Sequence, residues 1–253
     1  MNAPADISNL HPEVARAYRR AASYVSPRGA RVVLAEPLGE PIYFCVNNRN
    51  DRIHKNHLRG QFYEQDVLGE LAEHMPDGGT FVDIGANIGN HTLYMAKHGG
   101  AGRVIPMEPN PAAIALLMSV VRLNRIEDQV ELSALGYGLG EADAGGFAIR
   151  DIKGNLGWAR LEDSGGDIEV RKGDTLLADE ACVDLIKIDV EGMEIAALSG
   201  LQRTIERDQP EIFVEVDHGN REAFDALMDA HSYRCALEFP KSRMNQNFLM
   251  EPA

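Results

Sequence analysis

The chain has 253 residues, of which 44% are hydrophobic and 25% charged, and this suits one globular domain with at most a small appendage. Its 39 acidic and 25 basic residues give a formal net charge of −14, which disfavours nucleic acid as a partner. No apolar run approaches the roughly 20 residues that cross a bilayer, and the polar start is unlike a signal peptide. The three cysteines lack the spacing of a disulfide framework or a zinc site, so we expect a cytoplasmic protein without membrane association.

The first part of the chain differs from the rest and carries no motif that points to a chemistry. We expect residues 1–60 to form an accessory segment, with capping of the substrate as one role for it, and residues 61–253 to form the main domain. A basic stretch covers residues 49–59. His54 and His57 belong to this stretch, which we interpret as a solvated face of a mobile segment. The alternative is that Arg49, Arg52, Lys55 and Arg59 contact an anionic acceptor.

From residue 64 onward, apolar patterns alternate between helix and strand. A helix that begins near Glu64 ends at a Pro-Asp-Gly-Gly turn, and the alternation that follows is typical of a parallel sheet flanked by helices. The predicted strands are residues 80–84, 103–108, 130–134, 183–189 and 211–216. The predicted helices are residues 111–123, 193–206 and 221–231.

Two further regions complete the predicted architecture. Between residues 145 and 174 the alternation gives way to Gly-rich turns around two short strands, at 146–149 and 167–170, which predicts a hairpin insertion beside the site. Residues 232–239 and 247–250 are separated by a short loop that suits an antiparallel pair. We therefore predict an α/β fold with a doubly wound, mostly parallel sheet and a C-terminal antiparallel strand pair.

The most informative motif is a strand that runs into a glycine turn between residues 80 and 92. Backbone amides at such a junction can cradle a nucleotide-sized ligand. The dinucleotide fingerprint G-x-G-x-x-G would require glycine at two positions that are asparagine in this chain. The chain has Asp83, Gly85, Asn87 and Gly89 at alternating positions, and Asn87 can adopt the left-handed backbone that a tight loop needs.

An acid ends the next predicted strand at Glu108, with Pro109 and Asn110 directly after it. An acid about 20 residues beyond a glycine loop can bind both ribose hydroxyls of a nucleotide, although this feature alone does not separate NAD from S-adenosylmethionine. Carboxylates are also common at helix starts, so the alternative is that Glu108 only precedes a helix and contacts no ligand. We assign Glu108 to the ribose, and we expect Asp83 both to cap the glycine turn and to approach the amino group of the ligand.

Two later strands end in further acids. One of them ends in Asp189 and Glu191, and the next carries Glu215, Asp217 and His218. Because ligands bind at the carboxyl ends of the strands in open α/β sheets, these side chains should face the same cleft as the glycine loop. The sequence therefore predicts a cleft in which four acids and an imidazole converge.

Four blocks together resemble the FkbM family of S-adenosylmethionine-dependent methyltransferases, with order and spacing intact between about residues 64 and 218. They are FVDIGANIG (81–89), EPN (108–110), IKIDVEGME (186–194) and IFVEV (212–216). The resemblance implies a class I methyltransferase fold, which is Rossmann-like, and O-methylation of a hydroxyl on a sugar, polyketide or other natural product. Two positions depart from the family pattern, because Tyr137 stands where an acid is common and Asp217 stands where a histidine is usual.

The same resemblance assigns a cofactor site. S-adenosylmethionine, which becomes S-adenosylhomocysteine, is the expected cofactor. Its expected contacts are Glu64, Asp83, Gly85, Asn87, Glu108, Pro109, Asn110 and Asp189. For Glu64 the alternative is a helix-start acid that contacts no ligand.

An alcohol acceptor is a poor nucleophile until a base takes its proton. Asp189 is the first candidate base, His218 the second and His91 the third, and Glu215 completes the predicted catalytic set. Clustered acids raise one another's pKa values, which favours a base that works near neutral pH. Asp189, Glu215 and Asp217 also offer the oxygen ligands that Mg²⁺ prefers, but acids at strand ends cap helices and bind hydroxyls as well. We therefore do not favour Mg²⁺ and predict no metal ligands.

Other functions remain for the same sequence. The nearest alternative is methylation of a protein or nucleic-acid nitrogen, which the lack of an Asn-Pro-Pro-Tyr-like signature disfavours. A non-catalytic ligand-binding relative need not keep acids at three strand ends. A nicotinamide-dependent oxidoreductase fails on the glycine spacing. We expect a small-molecule or glycan acceptor, with no nucleic acid or membrane as partner. The oligomeric state stays open, with a homodimer as one option.

Overall fold

The computed structural model describes residues 29–152, 155–163, 165–240 and 242–253, with the backbone alone for residues 149–152 and 155–163. The strands are β1 (Arg31–Ala35), β2 (Ile42–Val46), β3 (Thr80–Ile84), β4 (Arg103–Met107), β5 (Tyr137–Leu139), β6 (Ala144–Ile152), β7 (Asn155–Asp163), β8 (Ile168–Arg171), β9 (Leu185–Ile188), β10 (Glu211–Asp217), β11 (Tyr233–Glu238) and β12 (Asn245–Pro252). The helices are α1 (Arg52–Leu58), α2 (Gln65–Glu73), α3 (Asn90–Lys97), α4 (Pro111–Leu123), α5 (Gly173–Leu176), α6 (Glu194–Ser199), α7 (Gln202–Asp208) and α8 (Arg221–Ala230). The first 28 residues of the expected accessory segment lie outside the described residues. None of the helices in these ranges has the length and apolar character needed to cross a bilayer.

The main sheet has six strands in the order β11-β12-β10-β9-β3-β4. Strands β4, β3, β9 and β10 run parallel, whereas β12 pairs antiparallel with both β10 and β11. The predicted mostly parallel sheet with a C-terminal antiparallel pair is therefore confirmed. The four parallel strands end at one edge of the sheet, and their following loops meet there.

Alternation along the strands gives the main sheet two apolar faces, as expected for a parallel sheet that is covered on both sides. Phe81, Leu185 and Phe213 pack on one face with residues of α2, α3 and α4. Val82 and Ile186 pack on the other face with residues of α6, α7 and α8. The sheet is thus the middle layer of three.

Two predicted elements differ in the structure. The strand predicted to start at Val130 is reduced to a single isolated bridge to Val104. The helix predicted at residues 193–206 is two helices, α6 and α7, which are separated at Gly200. A Cβ atom at Gly200 would lie 2.2 Å from the carbonyl oxygen of Gly140, so this close backbone approach requires glycine.

The insertion contains more strands than the sequence indicated. Strands β5, β8, β6 and β7 form a second sheet in that order, and β6 and β7 are an antiparallel hairpin. The predicted strands at 146–149 and 167–170 correspond to parts of β6 and β8. Strand β7 was missed because glycine and charged residues interrupt its apolar alternation.

Strands β1 and β2 form an antiparallel hairpin that precedes the main sheet. Ile42 and Phe44 of β2 are fully buried in the same core cluster as α4. Asn124, at the end of α4, holds β2 in place, since its side chain accepts from the N–H of Tyr43 at 2.9 Å and donates to the carbonyl of Tyr43 at 2.8 Å. The domain boundary at residue 60 stays a prediction.

The interpretation of His54 and His57 as solvated residues is wrong. Both lie in α1 and are only 0% and 1% exposed. The ring of His57 stacks on the ring of Phe44 with centroids 4.3 Å apart, because α1 packs against β2. Asp51 caps the helix by accepting from the N–H of Ile53 at 2.8 Å. The basic stretch is therefore an ordered helix with one buried face.

Candidate active site

A cavity of about 710 Å³ lies at the edge where the parallel strands end. Its wall comes from the loops after β3, β4, β9 and β10, from the start of α1, from the residues before α2, and from the chain between β11 and β12. This volume is within the range of small-molecule and cofactor sites. The predicted residues in the wall are Glu64, Gly85, Asn87, His91, Glu108, Pro109, Asn110, Asp189, Glu191, Glu215 and Asp217.

The loop after β3 brings its backbone against the cavity. Gly85 has a φ of 75°, and a Cβ atom there would lie 1.8 Å from the carbonyl oxygen of Asp189. Only glycine fits this position, because the loop passes so close to the end of β9. Asn87 has a φ of 50°, so the left-handed conformation predicted for it is confirmed.

Glu108 accepts hydrogen bonds from the backbone N–H groups of Asn87 and Asn110, each at 2.8 Å. These bonds occupy one lone pair on each carboxylate oxygen and leave the others for a ligand. Burial raises the pKa of Glu108 to about 7, and the two N–H donors partly offset this effect. Asn110 caps α4 by accepting from the N–H of Ala112 at 3.0 Å. The glycine loop and the helix start thus hold one carboxylate in a defined orientation.

Asp83 lies beneath the glycine loop, and its side chain is fully buried. It accepts hydrogen bonds from the N–H and the hydroxyl of Thr92 at 3.0 and 2.7 Å, in the first turn of α3. This is the capping role predicted for it. Asp83 is absent from the described wall of the cavity, so its position does not support the predicted approach to the amino group of a ligand.

Lys187 also lines the cavity, and the sequence pattern predicted no role for it. Its buried ammonium donates to the carbonyl of Gly85 at 2.7 Å and lies 3.2 Å from a carboxylate oxygen of Asp83. Burial opposes the charge, but Asp83 and Asp189 outweigh it and raise the pKa of Lys187. Parallel pairing sets Asp83 directly beside Lys187 across β3 and β9, and this register is the signal that could have identified the pair.

Asp189, Glu191 and Glu215 form an acid cluster in which one carboxylate oxygen from each residue lies within 4.8 Å of the others. Burial, together with the charges of Asp189 and Glu191, raises the pKa of Glu215 to about 9. Burial also raises the pKa of Asp189. Protonation of Glu215 or a nearby cation would therefore relieve the repulsion within the cluster. Its oxygens suit either a divalent metal ion or a cationic ligand.

The acid cluster and Glu108 lie on opposite sides of the cavity. Glu108 follows β4, whereas Asp189 and Glu191 follow β9 and Glu215 lies in β10. Strand β3 stands between β4 and these two strands. The glycine loop after β3 therefore runs between the two acidic ends. A ligand that spans the cavity meets one carboxylate at one end, backbone in the middle and three carboxylates at the other end.

Glu64 approaches the acid cluster from the residues before α2. It occupies the N-cap position with a φ of 54°, but its side chain makes no capping hydrogen bond. The side chains of Tyr63 and Arg52 lie close enough to lower the pKa of its carboxyl. Burial raises the pKa of Glu64, and the charge of Asp189 adds to this effect. Glu64 is thus a wall residue of the cavity and not a capping acid.

The structure does not bring His218 into the cavity. Glu215 and Asp217 of β10 line the cavity, whereas Val216, between them, points to the other face of the sheet. His218 is exposed, lies beside Val216 in a separate small pocket, and has its Nε2 3.3 Å from the carbonyl oxygen of Ser242. The position of His218 therefore gives no support to its predicted role as a base.

His91, the third candidate base, does line the cavity from the first turn of α3. Burial, together with the charge of Lys187, lowers the pKa of its imidazole to about 4. The ring is therefore neutral near pH 7, and it is a weaker base than a carboxylate whose pKa has been raised. Asp189 and Glu215 line the cavity and have raised pKa values, which is the direction that strengthens a carboxylate as a base.

The sequence profile of the methyltransferase FkbM domain matches residues 83–235, which is more than half of the chain. The chain belongs to the FkbM methyltransferase family. A relative of this FkbM-family protein is hexuronic acid methyltransferase AglP of Haloferax volcanii, which is 26% identical over 225 residues. The alignment covers 86% of this chain and 87% of the relative.

Solved structures show the same fold. The crystal structure of methyltransferase FkbM from Methylobacillus flagellatus matches with a TM-score of 0.50 and 23% identity, over 69% of this chain and 44% of that one. This chain thus spans less than half the length of that protein. A putative transferase of Pyrococcus horikoshii matches with a TM-score of 0.52 and 15% identity, over 88% of this chain and 71% of that one. The predicted class I methyltransferase fold is confirmed.

Proposed function

We propose that this FkbM-family protein transfers a methyl group from S-adenosylmethionine to a hydroxyl of a sugar or another small molecule. The observation that carries the proposal is the layout of the cavity, with one hydrogen-bonded acid at one end, three clustered acids at the other end and the glycine loop between them. S-adenosylmethionine has the complementary layout. It carries vicinal ribose hydroxyls at one end and a sulfonium and an ammonium at the other.

In this proposal Glu108 accepts both ribose hydroxyls with its free lone pairs, and Pro109 and Asn110 border the nucleoside. The backbone at Gly85 and Asn87 passes beneath the sugar and the thioether. Asp189 and Glu64 flank the methionine part, where their negative charge favours the sulfonium and the ammonium. Lys187 acts indirectly by fixing the carbonyl of the glycine loop.

The reaction that fits the site is an in-line displacement. The acceptor oxygen forms a bond to the methyl carbon while the carbon–sulfur bond breaks, which leaves neutral S-adenosylhomocysteine. Holding the three atoms in line supplies up to about 7–11 kcal/mol of the barrier in well-oriented systems. Asp189 takes the proton of the acceptor hydroxyl, and Glu215 shares that proton.

The relative from Haloferax volcanii supports a sugar as the acceptor, because its name is that of a hexuronic acid methyltransferase and the alignment covers most of both chains. Arg52 and Arg243 line the cavity and are exposed, so their guanidinium groups are available to pair with the carboxylate of such a sugar. We retain the cytoplasm as the proposed location and a small molecule or glycan as the proposed acceptor. Mg²⁺ is not assigned.

Calorimetric titration tests the cofactor assignment. We expect S-adenosylhomocysteine to bind in the micromolar range and NAD⁺ not to bind, with the Gly85→Ala variant as the matched negative control. Binding of NAD⁺ alone, or of neither ligand, would contradict the proposal. Repeating the titration with Mg²⁺ separates the two uses of the acid cluster, because stronger binding with Mg²⁺ would indicate that a metal ion belongs there.

The rate at which S-adenosylhomocysteine is released in the presence of a candidate sugar then tests the identity of the acceptor. Methyl glucuronide and methyl glucoside differ in the carboxylate alone, so they are a matched pair of acceptors. We expect methylation of the glucuronide at a rate that falls in the Arg243→Ala variant. Equal rates with both sugars would argue against a role for the two arginines in acceptor choice.

A further inference from the structure

Asn90 connects three parts of the site that are distant in the sequence. It is the first residue of α3, directly after the glycine loop, and it lines the cavity while only 2% exposed. Its Oδ1 accepts from the N–H of Tyr63 at 3.0 Å and lies 3.0 Å from Nε2 of His57. Its Nδ2 donates to the carbonyl of Tyr63, also at 3.0 Å. One side chain thus joins the glycine loop to α1 and to Tyr63, the residue before Glu64.

The hydrogen-bond network fixes the orientation of this amide and the state of the imidazole. The N–H of Tyr63 requires an acceptor and its carbonyl requires a donor, so the oxygen and nitrogen of Asn90 can be placed in one way only. His57 must then donate from Nε2. Burial lowers the pKa of His57 to about 4, so the imidazole is neutral and carries its hydrogen on Nε2.

The carbonyl that Asn90 holds belongs to the peptide group between Tyr63 and Glu64. That peptide plane sets the starting point for the φ angle of Glu64, which is left-handed at 54°. A glutamate adopts this conformation at a cost and keeps it only where surrounding contacts hold it. Asn90 supplies two of those contacts, one on each side of Tyr63.

We propose that Asn90 is a positioning residue that holds the Glu64 carboxylate against the methionine part of the cofactor. The inference rests on the proposed function, which places the ammonium of S-adenosylmethionine between Glu64 and the acid cluster. Asn90 is satisfied by Tyr63 and His57, so its side chain acts through Glu64 and not through a bond to the nucleoside. Its loss should therefore weaken binding of ligands that carry the amino-acid part and spare ligands that lack it.

Two ligands separate this role from general stability. S-adenosylhomocysteine carries the amino-acid part, whereas 5′-methylthioadenosine keeps the nucleoside and the thioether without it. We expect Asn90→Ala to weaken binding of S-adenosylhomocysteine about tenfold, the loss of one hydrogen bond to a charged group, and to leave 5′-methylthioadenosine within about twofold of wild type. Asn56→Ala is the matched control, since Asn56 also bonds a backbone carbonyl, at 2.9 Å to Arg52, but lies outside the cavity wall.

A double-mutant cycle with Glu64→Gln tests whether the effect passes through Glu64. If it does, the Asn90→Ala and Glu64→Gln variants and their combination should show the same loss of S-adenosylhomocysteine affinity. The inference would be overturned if the double variant lost affinity by the product of the two single losses. Equal losses of affinity for S-adenosylhomocysteine and 5′-methylthioadenosine would overturn it as well. If Asn90→Ala does not fold, Asn90→Asp takes its place in the cycle, because it keeps the size and the acceptor oxygen and removes the donor to Tyr63.

Wild-type protein that binds neither ligand contradicts the cofactor assignment itself. Wild-type protein that binds both ligands, with variants that lose both in equal measure, contradicts only the role of Asn90.

Discussion

The Glu108→Gln variant gives the sharpest test of how the cofactor is bound. The substitution keeps the size of the side chain but replaces a carboxylate that accepts two backbone N–H bonds, from Asn87 and Asn110, and has free lone pairs toward the cavity. A hydrogen bond to a charged group is worth about 1.5–3 kcal/mol, so we expect S-adenosylhomocysteine to bind about 10- to 150-fold more weakly. Because the ribose is common to both ligands, 5′-methylthioadenosine should lose the same factor.

The pH dependence of the same affinity provides a second measure. The pKa of Glu108 in the free protein is raised from 4.5 to about 7, so the site is increasingly protonated as the pH falls below about 7. A protonated carboxyl accepts the ribose hydroxyls poorly, and affinity should decline by up to about tenfold per pH unit, the limit for one proton. The folding stability of the free protein has the opposite pH dependence to the ligand affinity. The stability that protonated Glu108 contributes is lost as the pH rises from 4.5 through about 7.

Calorimetric titration of both ligands on either side of the Glu108 pKa measures these effects. The exposed acid Glu127, changed to glutamine, is the matched control and should leave affinity unchanged. The Glu108→Gln variant should also lose the pH dependence. Wild-type affinity in the variant, or a pH dependence that survives the substitution, would refute the assignment of Glu108 to the ribose.

Three further variants test the other parts of the site. Asp189→Asn should lower turnover by about 10²–10⁴-fold while most of the affinity for S-adenosylhomocysteine is kept, and full activity in a product-release assay would remove Asp189 as the base. Lys187→Met should lower the free energy of unfolding by about 3–5 kcal/mol, because it leaves Asp83 buried and unpaired. Urea denaturation measures this, with the surface variant Lys97→Met, expected to cost less than about 1 kcal/mol, as the control. His218→Ala should keep wild-type turnover, and a loss beyond about tenfold would return His218 to the reaction.

The fold was predictable from the sequence wherever one element has its own apolar pattern. Strand β3 and helix α4 begin and end at the predicted residues, since a continuous apolar run and a Pro-capped start define them locally. The break at Gly200 was not predictable, because it depends on the approach of the distant Gly140 backbone. The strand predicted from Val130 did not form for a related reason, since a strand needs a neighbour along its whole length and, among the residues that the structure describes, only Val104 pairs with Val130.

The site was predictable where its residues come directly after a parallel strand in the sequence. Spacing alone placed Gly85 and Glu108 in one cavity, because each ends a parallel strand. Lys187 and Asn90 were missed because their contacts come from register across strands and from the packing of α1. The place of His218 outside the cavity was not predictable for a related reason, since the register along β10 directs Glu215 and Asp217 to the cavity and Val216 to the opposite face.

Electrostatics favours the carboxylates over the imidazole of His91 as the proposed base in this cavity. Burial disfavours every charged form, but its effect on the pKa has opposite signs for acids and bases. It lowers the pKa of His91 to about 4, with help from Lys187, and it raises the pKa of Glu215 to about 9, with help from Asp189. A sulfonium beside the acid cluster favours the ionised carboxylates and so draws their pKa values back toward neutrality. Under the proposed function, binding of S-adenosylmethionine would therefore lower the pKa values of the carboxylates that take the acceptor proton.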